Sequence, residues 1–131
     1  PGRPGAPERS ANVQYMILIY GDERTWTSMP EAARRGVYAA HEAYAQRLVQ
    51  AGVLRGGSEL APTTSATTLR ARGGKVLQTD GPFAETREQL GGYYLVEVND
   101  LDEALRWARE CPGVSDGCVE VRPLMDGPGA G

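Results

Sequence analysis

Two strand-like runs in this chain are apolar on both of their faces. Residues 13–20 place Tyr15, Ile17 and Ile19 on one side and Met16, Leu18 and Tyr20 on the other. Residues 92–98 repeat the arrangement, with Tyr94, Val96 and Val98 against Tyr93, Leu95 and Glu97. Successive strand side chains point to opposite faces, so each run needs cover on both. That requirement limits the architectures open to the chain more than any single motif does.

Two helical patterns supply cover for one face. Ser28-Met29-Pro30-Glu31 reads as a helix start, with Ser28 as cap, Pro30 in the first turn and Glu31 reaching back as a capping box. Ala33, Val37, Ala40, Tyr44, Leu48 and Ala51 follow at helical spacing, and Gly52 is the stop. Asp100-Leu101-Asp102-Glu103 opens a second helix whose stripe is Leu101, Ala104, Leu105, Ala108 and Cys111, ended by Pro112-Gly113. Residues 53–60, 66–71, 75–79 and 118–124 read as short strands, with Arg72-Gly73-Gly74 turning a half-exposed hairpin between the second and third. The order β-α-β-(β-β)-β-α-β predicts an α+β fold: a ferredoxin-like antiparallel sheet with two helices on one face and an inserted β-hairpin. The second face is then bare. Large apolar side chains left in water there would forfeit about 1.5–3 kcal/mol each. Another copy of the same sheet is the simplest cover, so the pattern predicts a homodimer with its sheets face to face.

With 131 residues the chain suits one folded domain, expected over residues 13–124. Residues 1–12, rich in Pro, Gly and charge, read as a disordered arm or an expression remnant, and residues 125–131 as a flexible tail. A net charge of −3 with scattered basic residues argues against a nucleic-acid face. The longest apolar run, 13–20, is far too short to cross a bilayer, and no secretory signal precedes it. Cys111 and Cys118 have neither metal-site spacing nor the look of a disulfide framework, which fits a reducing, cytoplasmic location. No metal and no cofactor is expected, since no His/Cys/carboxylate cluster has ligand spacing and the glycine pairs do not follow a phosphate-loop pattern.

The stretch from Thr79 to Gly92 holds most of the chemistry-bearing residues. Asp80, Glu85, Arg87 and Glu88 lie in it, beside a buried-looking Phe83. Asp80 before Gly81-Pro82 has a structural use in forming the turn, and Thr86-Arg87-Glu88-Gln89 fits a capping box for a short helical turn. As a site, Arg87 would clamp an anionic group while Asp80 or Glu85 moved a proton. His41 is the single histidine and sits at the margin of the first helix's apolar stripe. It either packs there or acts as an acid or base, in which case a carboxylate must orient it: Asp22, Glu23, Asp80 or Glu85. Tyr20, Tyr93 and Tyr94 are core tyrosines or hydrogen-bonding anchors for a small ligand.

Asp80-Gly81-Pro82-Phe83, continued by Ala84-Glu85-Thr86-Arg87-Glu88-Gln89-Leu90-Gly91-Gly92-Tyr93-Tyr94, strongly resembles the signature of the DGPF subfamily of YCII-related proteins. The agreement extends to Tyr15-Met16-Ile17-Leu18-Ile19-Tyr20, Ala51-Gly52-Val53-Leu54, Asp100-Leu101-Asp102-Glu103-Ala104 and Val119-Glu120-Val121-Arg122-Pro123-Leu124. The resemblance implies a dimeric α/β barrel of ferredoxin-like protomers. Some YCII-related enzymes remove halide from hydroquinones with a His-Asp pair. The family's histidine falls on His41, but its aspartate falls on Cys111, so this chain keeps one half of the pair. The resemblance also implies a genomic association with extracytoplasmic-function sigma factors.

Two functions are therefore expected in parallel. One is a small-molecule-binding protein or enzyme doing acid–base chemistry, of lyase, isomerase or cyclase type, on a polar aromatic or carbonyl compound. Its catalytic set would be His41, Asp80 and Glu85, with Arg87, Glu88, Tyr20 and Tyr94 holding substrate. The alternative is a non-catalytic regulatory protein, for example a partner of such a sigma factor, with the loop acids as its docking surface.

Overall fold

In a computed structural model, residues 12–125 are described. The predicted arm over 1–12 and tail over 125–131 lie, except for Asn12 and Met125, outside them. The order is β1 (Val13–Gly21), α1 (Glu23–Ser28), α2 (Glu31–Gln50), β2 (Leu54–Glu59), a single 3-10 turn (Thr63–Ser65), β3 (Thr67–Arg72), β4 (Lys75–Asp80), β5 (Gln89–Val98), α3 (Leu101–Arg109), α4 (Gly113–Asp116) and β6 (Cys118–Pro123).

Four strands form one sheet in the order β2-β5-β1-β6, and every pairing is antiparallel. With β3 and β4 set aside as a separate hairpin, this is the ferredoxin-like arrangement the sequence predicts. The hairpin turns on Gly73 and Gly74, both at positive φ (55° and 80°), as a two-residue turn with Arg72 opposite Lys75 requires. Its strands are almost wholly in solvent, not half-exposed: Leu69, Val76 and Leu77 are all exposed.

The core lies on one face of the sheet. Ile17 and Val96 are fully buried there with Val98, under Tyr44 and Leu48 of α2 and Ala104 and Ala108 of α3. The Tyr44 hydroxyl donates to the Trp107 carbonyl at 2.6 Å and ties α2 to α3. Asp100 caps α3 by accepting from the Glu103 N–H (2.9 Å), while the Glu103 carboxylate accepts from the Asn99 N–H (2.8 Å), close to the predicted capping box. On the opposite face, Met16, Leu18, Tyr93 and Leu95 stay half-buried, with Met16 beside Leu95 and Leu18 beside Tyr93.

Several local expectations are corrected. Ser28 does not cap α2; its hydroxyl donates to the Thr25 carbonyl, because residues 23–28 form a helix of their own. Asp22 caps that helix by accepting from the Arg24 N–H. Pro30 stands at the start of α2 with no side-chain cap. Only Tyr44 and Leu48 of the predicted α2 stripe are buried; Ala33, Ala40 and Ala51 are exposed, because the first half of α2 overhangs a cavity instead of the sheet. No helical turn forms at Thr86. Its hydroxyl donates instead to the Glu88 carbonyl (2.7 Å). Phe83, read as buried, is 77% exposed.

The α4–β6 junction sets the edge of that cavity. A Cβ on Gly117 would fall 2.1 Å from the Tyr20 carbonyl oxygen, which belongs to rigid strand backbone. Gly117→Ala is therefore expected to destabilise the protein by about 1–3 kcal/mol through overpacking, read as a lower denaturant midpoint at unchanged m-value.

Candidate functional site

A cavity of about 460 Å³ opens between the sheet and the first half of α2. Its floor is the C-terminal end of β1 and the backbone of Gly91 and Gly92; α1 and α4 close its ends. The floor follows from a register shift. Ile19 pairs with Gly92 but Tyr20 pairs with Leu90, so Gly91 is an extra residue, and its carbonyl turns outward to accept from the Leu60 N–H (2.8 Å).

His41 enters the cavity from α2. Its Nδ1 lies 2.9 Å from the Tyr94 hydroxyl, and that hydroxyl is also 3.4 Å from the His41 carbonyl oxygen. Nε2 has no partner among the described residues. Burial lowers the His41 pKa from its ordinary value, against the opposing pull of the Asp116 and Glu59 carboxylates. The imidazole is thus neutral near pH 7. Burial also pushes the Tyr94 phenol up to about 12, with Cys111 adding to the rise, so this tyrosine is a neutral hydrogen-bonding group. Tyr44 stacks edge-on against Tyr94 with centroids 5.1 Å apart. Cys111 is buried beside these two tyrosines, and burial raises its thiol pKa as well. The thiol stays protonated and inert there.

Around this pair the wall is aromatic and acidic. Trp26 meets Tyr38 edge-to-face at 5.4 Å, and the Tyr38 hydroxyl donates to Glu59 Oε2 (3.0 Å). Glu23 accepts from both the N–H and the hydroxyl of Thr63 (2.8 and 2.7 Å), which fastens α1 to the 3-10 turn. Gln89 accepts from the Glu23 N–H (2.9 Å) and donates to the Thr86 carbonyl, which fastens α1 to the loop before β5.

Of the residues singled out from the sequence, His41, Tyr94, Tyr20, Tyr93, Asp22 and Glu23 line the cavity. The Tyr20 hydroxyl, however, is donated to Glu120 (3.1 Å). Asp80, Glu85, Arg87 and Glu88 do not line it; all four are exposed. Asp80 ends β4, opposite Thr67. Glu88 faces the Cys118 thiol (3.6 Å), and Arg87 lies near enough to Asp22 to help lower its pKa, behind the larger effect of Arg24. The orienting partner of His41 is therefore Tyr94, and none of Asp22, Glu23, Asp80 and Glu85 hydrogen-bonds the histidine. Sequence reasoning missed Trp26, Tyr38, Glu59 and Asp116 as cavity residues. The i, i+3 spacing of Tyr38 and His41 on one helix was the available signal.

A sequence model of the YCII-related domain matches residues 13–127. The chain belongs to the YCII-related family. It is 42% identical over 112 residues to an uncharacterized protein of Rhizobium meliloti, covering 84% of this chain and 90% of that one. Among solved structures it is similar to the 5-chloro-2-hydroxyhydroquinone dehydrochlorinase TftG of Burkholderia phenoliruptrix, in complex with 2,5-dihydroxybenzoquinone. That similarity has a TM-score of 0.49 and 19% identity, over 87% of this chain and 95% of the other. No helix among the described residues is long and apolar enough to cross a membrane. No group of three or more His, Cys, Asp or Glu among them could hold a metal ion.

As the one histidine in the chain, His41 gives a single imidazole NMR signal. Its titration midpoint is expected below the ordinary value of 6.5. Because the unfolded chain then binds this proton more readily, the associated stability is intact above pH 6.5 and is lost as pH falls toward the lower folded value. Tyr94→Phe leaves Nδ1 unpartnered in a half-buried place and is expected to cost about 1–3 kcal/mol, with a shift in the ring's ¹⁵N tautomer signature.

Proposed function

We propose that this protein binds a small polar aromatic or carbonyl compound in the α2–sheet cavity and that His41 moves a proton on it. One observation carries the reading: the only imidazole in the chain lines a cavity with one nitrogen engaged by Tyr94 and the other without a partner among the described residues.

The Tyr94 hydroxyl has two acceptors within reach, which suits both directions of transfer. When it donates to Nδ1, Nε2 carries the hydrogen and serves as a donor. When it donates to the His41 carbonyl, Nδ1–H donates to the phenol oxygen and the Nε2 lone pair is free to accept. On accepting a substrate proton at Nε2 the ring becomes imidazolium, and the fields of Asp116 and Glu59 favour that state. Returning the proton to another atom of the same substrate gives isomerisation; returning it as a leaving group departs gives elimination. In this scheme Tyr94 is a positioning residue. The loop residues Asp80, Glu85, Arg87 and Glu88 have no part in proton transfer, and Cys111 holds a structural place.

A thermal-shift screen of small phenols, quinols and ketones tests the reading. A ligand of the cavity is expected to raise the melting temperature and to move the His41 NMR signal, and His41→Ala should abolish any turnover of that ligand while the fold is retained. A ligand whose binding and conversion survive His41→Ala removes the assignment.

The half-buried apolar face of the sheet opposite the helices supports a homodimer. Met16, Leu18, Tyr93 and Leu95 form an apolar stripe flanked by the Arg55–Glu97 ion pair and, on β6, by Glu120 and Arg122, a surface that a second copy of the sheet would cover. Leu18→Asp is expected to give a monomer by light scattering and to lower thermal stability. A wild-type protein that is monomeric at micromolar concentration contradicts the dimer.

The exposed loop favours a second reading. Phe83, Glu85 and Glu88 stand in solvent away from the cavity, where they could meet a protein partner such as a sigma factor. Under this reading Phe83→Ala weakens capture of a purified extracytoplasmic-function sigma factor and leaves the His41 signal unmoved. Two free thiols, Cys111 and Cys118, suit a reducing cytoplasm for either role.

A further inference from the structure

We infer that the cavity is built for neutral or positively charged ring compounds and turns anions away. The inference rests on the small-molecule reading above and adds the charge of the guest. Asp22, Glu23, Glu42, Glu59 and Asp116 line the cavity, and no Lys or Arg among the described residues does.

The nearby guanidinium groups already have protein partners, and that of Arg24 neutralises Asp22 on the lining. Arg24 is held on Asp22 at 3.0 Å, and Arg34 donates to the Met29 carbonyl at 2.6 Å. Arg87 stands in the exposed loop outside the cavity. An anionic group entering would meet several carboxylates and no cation among the described lining residues; Glu42, Glu59 and Asp116 are exposed, so the repulsion is one that salt screens.

The carboxylates differ in what they can offer. Glu23 has both oxygens committed to Thr63, and Asp22 is paired with Arg24. Glu59 uses Oε2 for Tyr38 and leaves Oε1 without a hydrogen-bond partner among the described residues. Asp116 acts on His41 only through its field. Glu42, Glu59 and Asp116 are thus the acceptors open to a donor group on the guest, and of these Glu59 stands beside the aromatic pair. Trp26 and Tyr38, set at 89° to each other, add aromatic surface beside Glu59 for a cationic or ring-bearing guest. The arrangement fits a flat ring near His41 with an amine, amide or hydroxyl donor directed to Glu59.

Three probes with one phenol ring test this: tyramine, its neutral alcohol analogue tyrosol, and 4-hydroxyphenylacetate. The His41 imidazole signal reports entry into the cavity, and calorimetry gives affinity. Tyramine and tyrosol are expected to move the signal saturably, with 4-hydroxyphenylacetate weaker than tyramine by about tenfold or more. Glu59→Gln should reduce tyramine's advantage over tyrosol several-fold and leave tyrosol binding nearly unchanged, and raised salt should erode the same advantage. If 4-hydroxyphenylacetate moves the signal as tightly as tyramine, the charge inference fails and the cavity reading stands. If none of the three moves it at saturating concentration, both fall.

Discussion

The β1–β5 ladder is the contact on which the remaining structure depends. It runs from Val13–Val98 to Gly21–Gln89, longer than any other pairing in the sheet. Each other strand of the sheet attaches to one of these two, β6 to β1 and β2 to β5. The core residues Ile17 and Val96 come from the same ladder, as does the Tyr94 that holds His41. The extra residue at Gly91 occurs where the ladder reaches the cavity, so the irregularity that would weaken a sheet is placed where open space is needed.

Much of the fold was legible because strong periodic signals were long. Alternation over 13–20 and 92–98 located the two central strands, and Gly73-Gly74 located the hairpin turn. Short elements left no period to read. α1 has six residues and α4 has four, so neither completes two helical turns. Ser28 was a plausible cap by type, but the neighbouring helix had already claimed its hydroxyl.

The site was legible in part. His41 and Tyr94 are each visible as residues able to do chemistry, yet they lie 53 positions apart, and only the crossing of α2 over β5 brings them together. The loop from Asp80 to Glu88 is dense in ionisable groups. Density along a chain says nothing about convergence in space, and these side chains spread into solvent. Glu59 and Asp116, at the end of one strand and in one turn of helix, carry no local pattern that marks them.

The glycine floor has an entropic consequence. Gly91 and Gly92 present backbone alone; Gly92 is fixed by pairing with Ile19 of β1 and Glu59 of β2, and Gly91 by the bond its carbonyl accepts from the Leu60 N–H. A guest lying on them immobilises no rotamers beneath it, whereas ordering Trp26, Tyr38 or Glu42 on the opposite side carries about 0.5–1.5 kcal/mol per side chain. For any guest seated there, the number of those upper groups it must hold still would then separate it from others of similar shape.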